Sequence, residues 1–248
     1  MKISIITPVY NNRETISDCI NSVLNQSYKD IEYIIVDGCS DDGTIEVIKN
    51  NPNIGRIKLI SDRDKGLYDA INKGIKLSTG EIIGFLHSDD LYGNNYIVEK
   101  VVNILKQNEI DGIYGDIQYV DKNNINKVIR NWIAGEYYPE KFKCGWHPPH
   151  TTLFLKRDIY VKYGLYNDKF YISGDYEIML RFIHKYGIKI KYLPEVLVKM
   201  RMGGKSNKSI RNILIQTIED YNAWKINGLR GGLLAVILKK LRKIPQYF

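Results

Sequence analysis

Four times in the first 116 residues, a short apolar run passes into a polar loop and then into a stretch of helical period. The apolar runs are residues 2–7, 31–36, 57–60 and 82–86. After the first, Ile16, Cys19, Ile20, Val23 and Leu24 recur at i, i+3, i+4, i+7 and i+8, one face of a helix. After the third, Ala70, Ile71, Gly74 and Ile75 repeat that pattern, and Ile97, Val101, Val102 and Leu105 do so after the fourth. Strands joined at this spacing through helices pair in parallel with right-handed crossovers. Residues 1–116 are therefore expected to form a doubly wound α/β sheet. Loops that follow the strands of such a sheet emerge at one edge, where open α/β folds place their ligands. Here those loops are 8–12, 37–42, 62–66 and 87–90, all rich in Asp and Asn.

The loop at 87–90, His87-Ser88-Asp89-Asp90, ends the run 82–86, which only Gly84 interrupts. Two adjacent carboxylates at the end of a buried strand each raise the cost of ionising the other. A divalent cation relieves that repulsion, and hard cations prefer oxygen ligands. The plain alternative is a Ser-Asp-Asp turn that caps the next helix.

Beyond residue 116 the pattern loosens. Residues 117–120 and 127–132 read as a hairpin, 151–155 as a strand, and 157 onward as a helix ended by Gly164. The segment 170–177 reads as a loop entering a helix that runs to about 186; strands at 189–193 and 196–200 and a helix over about 206–227 follow. The 44% hydrophobic and 26% charged residues are those of a globular chain. No stretch approaches the roughly 20 apolar residues that span a bilayer. The N-terminus reads directly as a first strand, without a signal peptide. Cys19, Cys39 and Cys144 are odd in number and lack metal-site spacing, which suits a reducing, cytoplasmic compartment.

Five motifs in order, 7–11 (TPVYN), 36–44 (VDGCSDDGT), 64–74 (DKG, then DA-x-NKG), 79–81 (TGE) and 88–90 (SDD), resemble glycosyltransferase family 2 from residue 2 to about residue 200. The resemblance implies the GT-A fold, a Rossmann-like and mostly parallel sheet, and inversion at the anomeric carbon of a nucleotide sugar. Carried over by position, it implies that Thr7, Pro8, Tyr10 and Asn11 line the nucleotide pocket and that Asp37 accepts a hydrogen bond from uracil. Asp64, Lys65 and Gly66 would sit beside the ribose or diphosphate, with Asp69 and Asn72 in the same motif. Asp89, preceded by Ser88, matches the acid that holds Mn²⁺ or Mg²⁺. His87 stands where the family carries an Asp; a neutral imidazole can ligate Mn²⁺ or hydrogen-bond the ribose. Asp90 and His150 are further candidates near the metal and diphosphate. Asp175, in the stretch 173–177 (SGDYE), matches the base, and its place at a helix start favours the ionised form. A helix-capping acid is the other reading of that residue. Lys65 and Arg181 are weighed as phosphate contacts against ordinary surface charges. Trp132, Tyr137, Tyr138 and Trp146 are weighed as a sugar platform against core packing.

The expected activity is metal-dependent transfer of a sugar from a UDP-sugar to a hydroxyl of a glycan, in cell-surface polysaccharide synthesis such as O-antigen or capsule. A catalytically degenerate sugar-nucleotide binder is the alternative that His87 raises. A sugar-phosphate nucleotidyltransferase would need a glycine-rich loop after the first strand, and residues 8–12 contain no glycine. A dinucleotide dehydrogenase lacks its G-x-G-x-x-G for the same reason.

The net charge of +8 belongs to the tail. Residues 1–198 carry 25 Lys and Arg against 26 Asp and Glu, whereas residues 199–248 carry 11 against only Glu219 and Asp220. No nucleic-acid-binding motif accompanies the charge. The expected organisation is a catalytic domain over 1–228, with a donor half (1–116) and an acceptor half (117–228), and an amphipathic basic tail over 229–248. The apolar run 231–238 and the basic residues Lys225, Arg230, Lys239, Lys240, Arg242 and Lys243 suit the surface of an anionic membrane. They predict a peripheral protein at the inner face of the cell membrane, with an undecaprenyl-diphosphate-linked acceptor. Packing on the domain, or on a second copy in a homodimer, is the competing expectation.

Overall fold

The computed structural model describes residues 1–203 and 209–242. In chain order the first half contains β1 (Ile3–Val9), α1 (Ile16–Leu24), β2 (Ile31–Asp37), α2 (Thr44–Lys49), β3 (Ile57–Ser61), α3 (Leu67–Leu77), β4 (Ile82–Phe85), β5 (Leu91–Tyr92) and α4 (Ile97–Gln107). The second half contains β6 (Gly112–Val120), β7 (Val128–Trp132), β8 (Phe154–Lys156), α5 (Arg157–Tyr163), α6 (Gly174–Met179), β9 (Ile190–Arg201), α7 (Ile210–Ile226) and α8 (Gly232–Leu241).

The first four long strands lie in the order β3-β2-β1-β4, all parallel, as the alternating pattern predicts. Side chains alternate across a strand, so each strand feeds two cores. Ile3, Ile5, Tyr33, Ile35 and Ile82 pack with α1 and α4 on one face. Ile6, Ile34, Val36, Ile83 and Phe85 pack on the other with Ala70, Ile71 and Ile75 of α3, and with residues of α5 and α6. Burying each such aliphatic side chain contributes about 1.5–3 kcal/mol, and this drives the two-faced layering.

Beyond β4 the sheet is mixed. β8 pairs antiparallel with both β4 and β6, wedged between two strands that run in the same direction. Gly84 makes room for that wedge, because a Cβ there would lie 2.5 Å from the Phe154 ring. β9 runs parallel to β6, β5 adds antiparallel to β9, and β7 forms the expected hairpin with β6.

Three local expectations change. The strand expected over 151–155 is shorter, because a 3-10 turn occupies His150–Thr152. Thr152 Oγ1 donates within that turn to Pro149 O (2.8 Å) and receives the Gly115 amide (3.2 Å), tying the chain down before it can extend. The two strands expected at 189–193 and 196–200 are one, β9, whose register against β6 shifts around Asp116. The helix expected to reach 186 continues past α6 as a π-helical turn, Leu180–Lys185.

At the C-terminus, Ser209 caps α7 by accepting from Asn212 N. The part of the expected 206–227 helix before residue 209 lies outside the described residues, as do residues 243–248 of the tail. α8 folds back on α7: a Cβ at Gly232 would lie 2.7 Å from Trp224, and Ala235 and Val236 are buried. Lys239, expected to face a membrane, is instead buried and paired with Asp220 at 2.8 Å. An unpaired ammonium in that position would lose its hydration for nothing, so the pair forms inside the helix junction.

Candidate active site

The ends of β1, β2 and β3 lie abreast, with Val9, Asp37 and Ser61 in register. Asp37 is fully buried and fastens two edge loops. Its Oδ2 accepts from Cys39 N (3.0 Å), Ser40 N (3.1 Å) and Ser61 Oγ (2.7 Å). Asn11, in the left-handed region at φ 48°, bonds Asp41 in both directions through its side-chain amide. Tyr10 is 62% exposed beside these loops. A Cβ at Gly38 would lie 2.5 Å from Asp64 Oδ2 and 3.4 Å from the Tyr10 ring, so Tyr10, Gly38 and Asp64 meet at one spot. Burial raises the pKa of the Asp64 carboxyl, although Gly66 N donates to its Oδ1 at 2.9 Å.

Other expected contacts lie elsewhere. Thr7 has no exposed surface; its hydroxyl meets Tyr33 Oη at 3.2 Å, between the sheet and α1. Pro8 is buried in β1. Asn72 bonds both the amide and the carbonyl of Tyr166 at 2.9 Å, which ties α3 to the second half of the chain. Asp69 accepts from Lys65 N at 3.1 Å and lies 3.9 Å from Lys73; the Lys65 side chain is exposed. Arg181 forms an ion pair with Glu177 at 2.9 Å and donates to the carbonyls of Tyr163, Gly164 and Leu165. It is a structural cross-link rather than a phosphate contact or a solvated charge. Trp146 is buried, donates from Nε1 to Ala134 O and stacks on Tyr137, so these two rings are core. Tyr138 is exposed and Trp132 partly so.

The turn after β4 closes through Asp90 N donating to His87 O at 3.0 Å. Ser88 Oγ receives Asn12 Nδ2 at 2.7 Å, joining this turn to the loop after β1. Cys19, its thiol pushed by burial to about 12, packs beneath and donates to His87 O. One ligand atom each from His87, Asp89 and Asp90 lies within 4.8 Å of the others. Two buried atoms here have no hydrogen-bond partner: His87 Nε2 and Asp90 Oδ2. Burial, then the Asp89 charge, raises the Asp90 carboxyl well above the usual range. Burial lowers the His87 imidazole against the pull of Asp89 and Asp175. A neutral imidazole nitrogen and one Asp90 oxygen that lack partners, beside the Asp89 carboxyl, are donors of the kind Mn²⁺ or Mg²⁺ accepts, so these residues fit such an ion. Buried atoms of this kind are costly unless something satisfies them.

His150 lies beside this group, its ring 6.1 Å from that of His87. Its Nε2 meets Tyr166 Oη at 2.6 Å, and burial pushes its pKa down to about 3. The ring is therefore neutral, and its Nε2 is already engaged in a hydrogen bond with Tyr166 Oη rather than free for a metal.

Asp175 stands at the first turn of α6, its Oδ1 accepting from its neighbour Tyr176 N at 2.7 Å. Its Oδ1 lies 3.4 Å from Tyr68 Oη, and its charge is felt at Tyr68, at Tyr166 and at His87 of the turn after β4. The loop before it is gripped by Glu219 of α7, whose carboxylate accepts from Tyr171 N (2.7 Å), Ile172 N (2.8 Å) and Ser173 N (2.8 Å). In the sequence Glu219 stands out only as half of the sole acidic pair in the basic stretch 199–248.

The β3-β2-β1-β4 sheet thus carries an acidic turn after β4. The glycosyl transferase family 2 model matches residues 4–185, and the chain belongs to that family. A PGL/p-HBAD biosynthesis glycosyltransferase from Mycobacterium bovis is 28% identical over 208 residues, 82% of this chain and 78% of its own. S. aureus TarS 1-349 in complex with UDP-GlcNAc superposes with a TM-score of 0.66 at 16% identity, over 92% of this chain and 65% of that one. The chain spans 40% of the longer S. aureus TarS structure. A mannosyltransferase from Pyrobaculum calidifontis in complex with GDP-Man and Mn²⁺ superposes at 0.61 and 15% identity, over 98% and 75% of the two chains. The chain is thus a glycosyltransferase of the GT-A fold.

Proposed function

We propose that this protein transfers a sugar from a UDP-sugar to a hydroxyl of a glycan acceptor with inversion, using Asp175 as base and the His87–Asp90 turn as a divalent-cation site. The observation that carries the proposal is the turn's two partnerless buried ligand atoms, His87 Nε2 and Asp90 Oδ2, with the charge of Asp175 felt at His87. Residues 1–116 serve as the donor half and 117–228 as the acceptor half. Tyr10, Gly38 and Asp64 form the part of the edge suited to the nucleoside, and Asp37 holds their loops in place. The UDP-GlcNAc complex of S. aureus TarS makes UDP-GlcNAc the first donor to test.

In the reaction, the acceptor oxygen attacks the anomeric carbon from the face opposite the diphosphate while Asp175 takes its proton. The bond between that carbon and the diphosphate oxygen breaks, UDP departs, and the proton later passes to solvent. His87, Asp89 and Asp90 would hold a Mn²⁺ or Mg²⁺ ion, which when bound would supply positive charge to the leaving diphosphate. Tyr68 and Glu219 hold the base and its loop. The acceptor in this reading is lipid-linked, an undecaprenyl-diphosphate glycan of a surface polysaccharide, which requires the protein to work at the inner face of a membrane. No helix among the described residues is long and apolar enough to cross one.

A panel of UDP- and GDP-sugars, assayed for nucleotide release with Mn²⁺, with Mg²⁺ and with EDTA, tests the reading. Release from one UDP-sugar that stops in EDTA is expected. Tight UDP binding without release under any condition would instead identify the degenerate sugar-nucleotide binder.

A further inference from the structure

The α7–α8 pair carries a surface that sugar transfer itself does not use. Its two acids face inward: Glu219 accepts three backbone amides, and Asp220 is buried against Lys239. Outside, Arg211, Lys225, Arg230, Lys240 and Arg242 are all exposed. Every carboxylate in residues 209–242 is thus already paired, and the outer surface is purely cationic.

Apolar groups share that surface. On α7, Leu214, Ile218 and Tyr221 are exposed at i, i+4 and i+7, a single stripe. On α8, Leu233 (67% exposed), Leu234 (61%), Ile237 (51%) and Leu241 (53%) form a second stripe. The stripes adjoin. Tyr221, Leu233 and Leu234 line one shallow depression with Lys225 and Arg230, and Lys240 Nζ reaches across to Thr217 Oγ1 at 2.6 Å. Large exposed aliphatics grouped in this way mark a surface that something covers.

We propose that this face docks the protein on an anionic phospholipid bilayer, with Leu233, Leu234 and Ile237 at the acyl boundary and Arg230, Lys240 and Arg242 among the headgroups. Charge selects the occupant. A second copy would bring two cationic faces together with no free acid on them to offset either, whereas anionic headgroups offset that charge. Length agrees, since the ten residues of α8 cannot cross a bilayer but can lie in its surface. The surface is also joined to the chemistry: α7 holds the 171–173 backbone through Glu219, two residues from Asp175. Docking would therefore set the height of the base above the lipid, which rests on the lipid-linked acceptor of the proposed function.

The test is sedimentation of the full chain with vesicles of phosphatidylglycerol and phosphatidylethanolamine, against vesicles of phosphatidylcholine. Binding to the anionic vesicles is expected, at least tenfold stronger than to phosphatidylcholine and weakened by salt. Leu234→Glu with Ile237→Glu should lower it at least tenfold while the melting temperature is kept. Arg230→Glu with Lys240→Glu should remove the preference for anionic lipid. No vesicle binding at low salt, or equal binding by the Leu234→Glu/Ile237→Glu variant, overturns the proposal. So does a dimer in equilibrium sedimentation that this variant dissociates, if vesicles are ignored. Anionic vesicle binding by a protein that hydrolyses no nucleotide sugar would uphold the docking surface and overturn the transferase reading alone.

Discussion

Tyr68 Oη lies 3.4 Å from Asp175 Oδ1 and donates to the carbonyl of Ile172 at 2.5 Å. The ring of Tyr68 also forms the floor under Gly174, where a Cβ would approach it to 2.7 Å. A side chain from α3 thus fixes the backbone just before the proposed base, although 107 residues separate the two in sequence. Burial and the Asp175 charge both raise the Tyr68 hydroxyl, so it stays protonated and can donate. Tyr68→Phe keeps the ring and removes the donor. A net hydrogen bond is worth about 1 kcal/mol, so kcat should fall roughly fivefold while KM for the donor sugar holds. A matching rise in donor KM would place Tyr68 in the nucleotide site instead.

Removal of the carboxylate itself should cost far more. Asp175→Asn is nearly isosteric and retains an oxygen for the Tyr176 amide, so α6 should still start where it does. General-base catalysis is typically worth 10²–10⁴-fold, and the transfer rate should fall by about that factor. UDP affinity, measured by calorimetry, should remain within about twofold of the parent. An equal loss of UDP binding would mark Asp175 as a capping acid.

The parallel half of the fold was legible because its residues signal both period and place. Ile3, Ile5 and Ile6, with Ile34, Ile35 and Val36, are apolar on both faces of a strand, and only a covered sheet uses such runs. The turn after β4 was legible for a chemical reason, since adjacent acids after a buried strand call for a counter-charge. What escaped is long-range pairing. Nothing local in Phe154 or Leu155 says that β8 enters antiparallel between β4 and β6. Asn72 stands in a motif that resemblance assigns to the nucleotide, yet its amide is used by Tyr166, 94 residues away. Glu219 and Tyr68 act on a base loop far from them in sequence, and no spacing rule could have found them.

Asp89→Ala should reduce Mn²⁺ binding by at least tenfold in calorimetry without donor present, because it removes one of three donors in the His87–Asp90 turn. Nucleotide release should fall with it. His87→Asp replaces the partnerless Nε2 with a hard oxygen donor. That variant should remain active and shift its preference from Mn²⁺ toward Mg²⁺, which favours oxygen ligands. Full activity in EDTA, or in Asp89→Ala, would remove the metal from the mechanism.

Lys239 and Asp220 offer a test of how α8 is held. The pair is buried to within 6% exposure on either side, with Lys239 Nζ 2.8 Å from both carboxylate oxygens and 3.7 Å from the centre of the Tyr176 ring. Lys239→Met alone strands the Asp220 carboxylate among apolar neighbours, and breaking a buried pair in this way costs about 3–5 kcal/mol. Replacing both partners, with Lys239→Met and Asp220→Leu, leaves no charge to desolvate and should recover most of that loss in urea unfolding. Asp220 adjoins Glu219, which holds the loop before Asp175. The single variant should therefore also slow transfer, and the double variant should restore the rate along with the stability. Recovery of stability without recovery of rate would show that the ion pair acts on the base loop directly, beyond packing the two helices together.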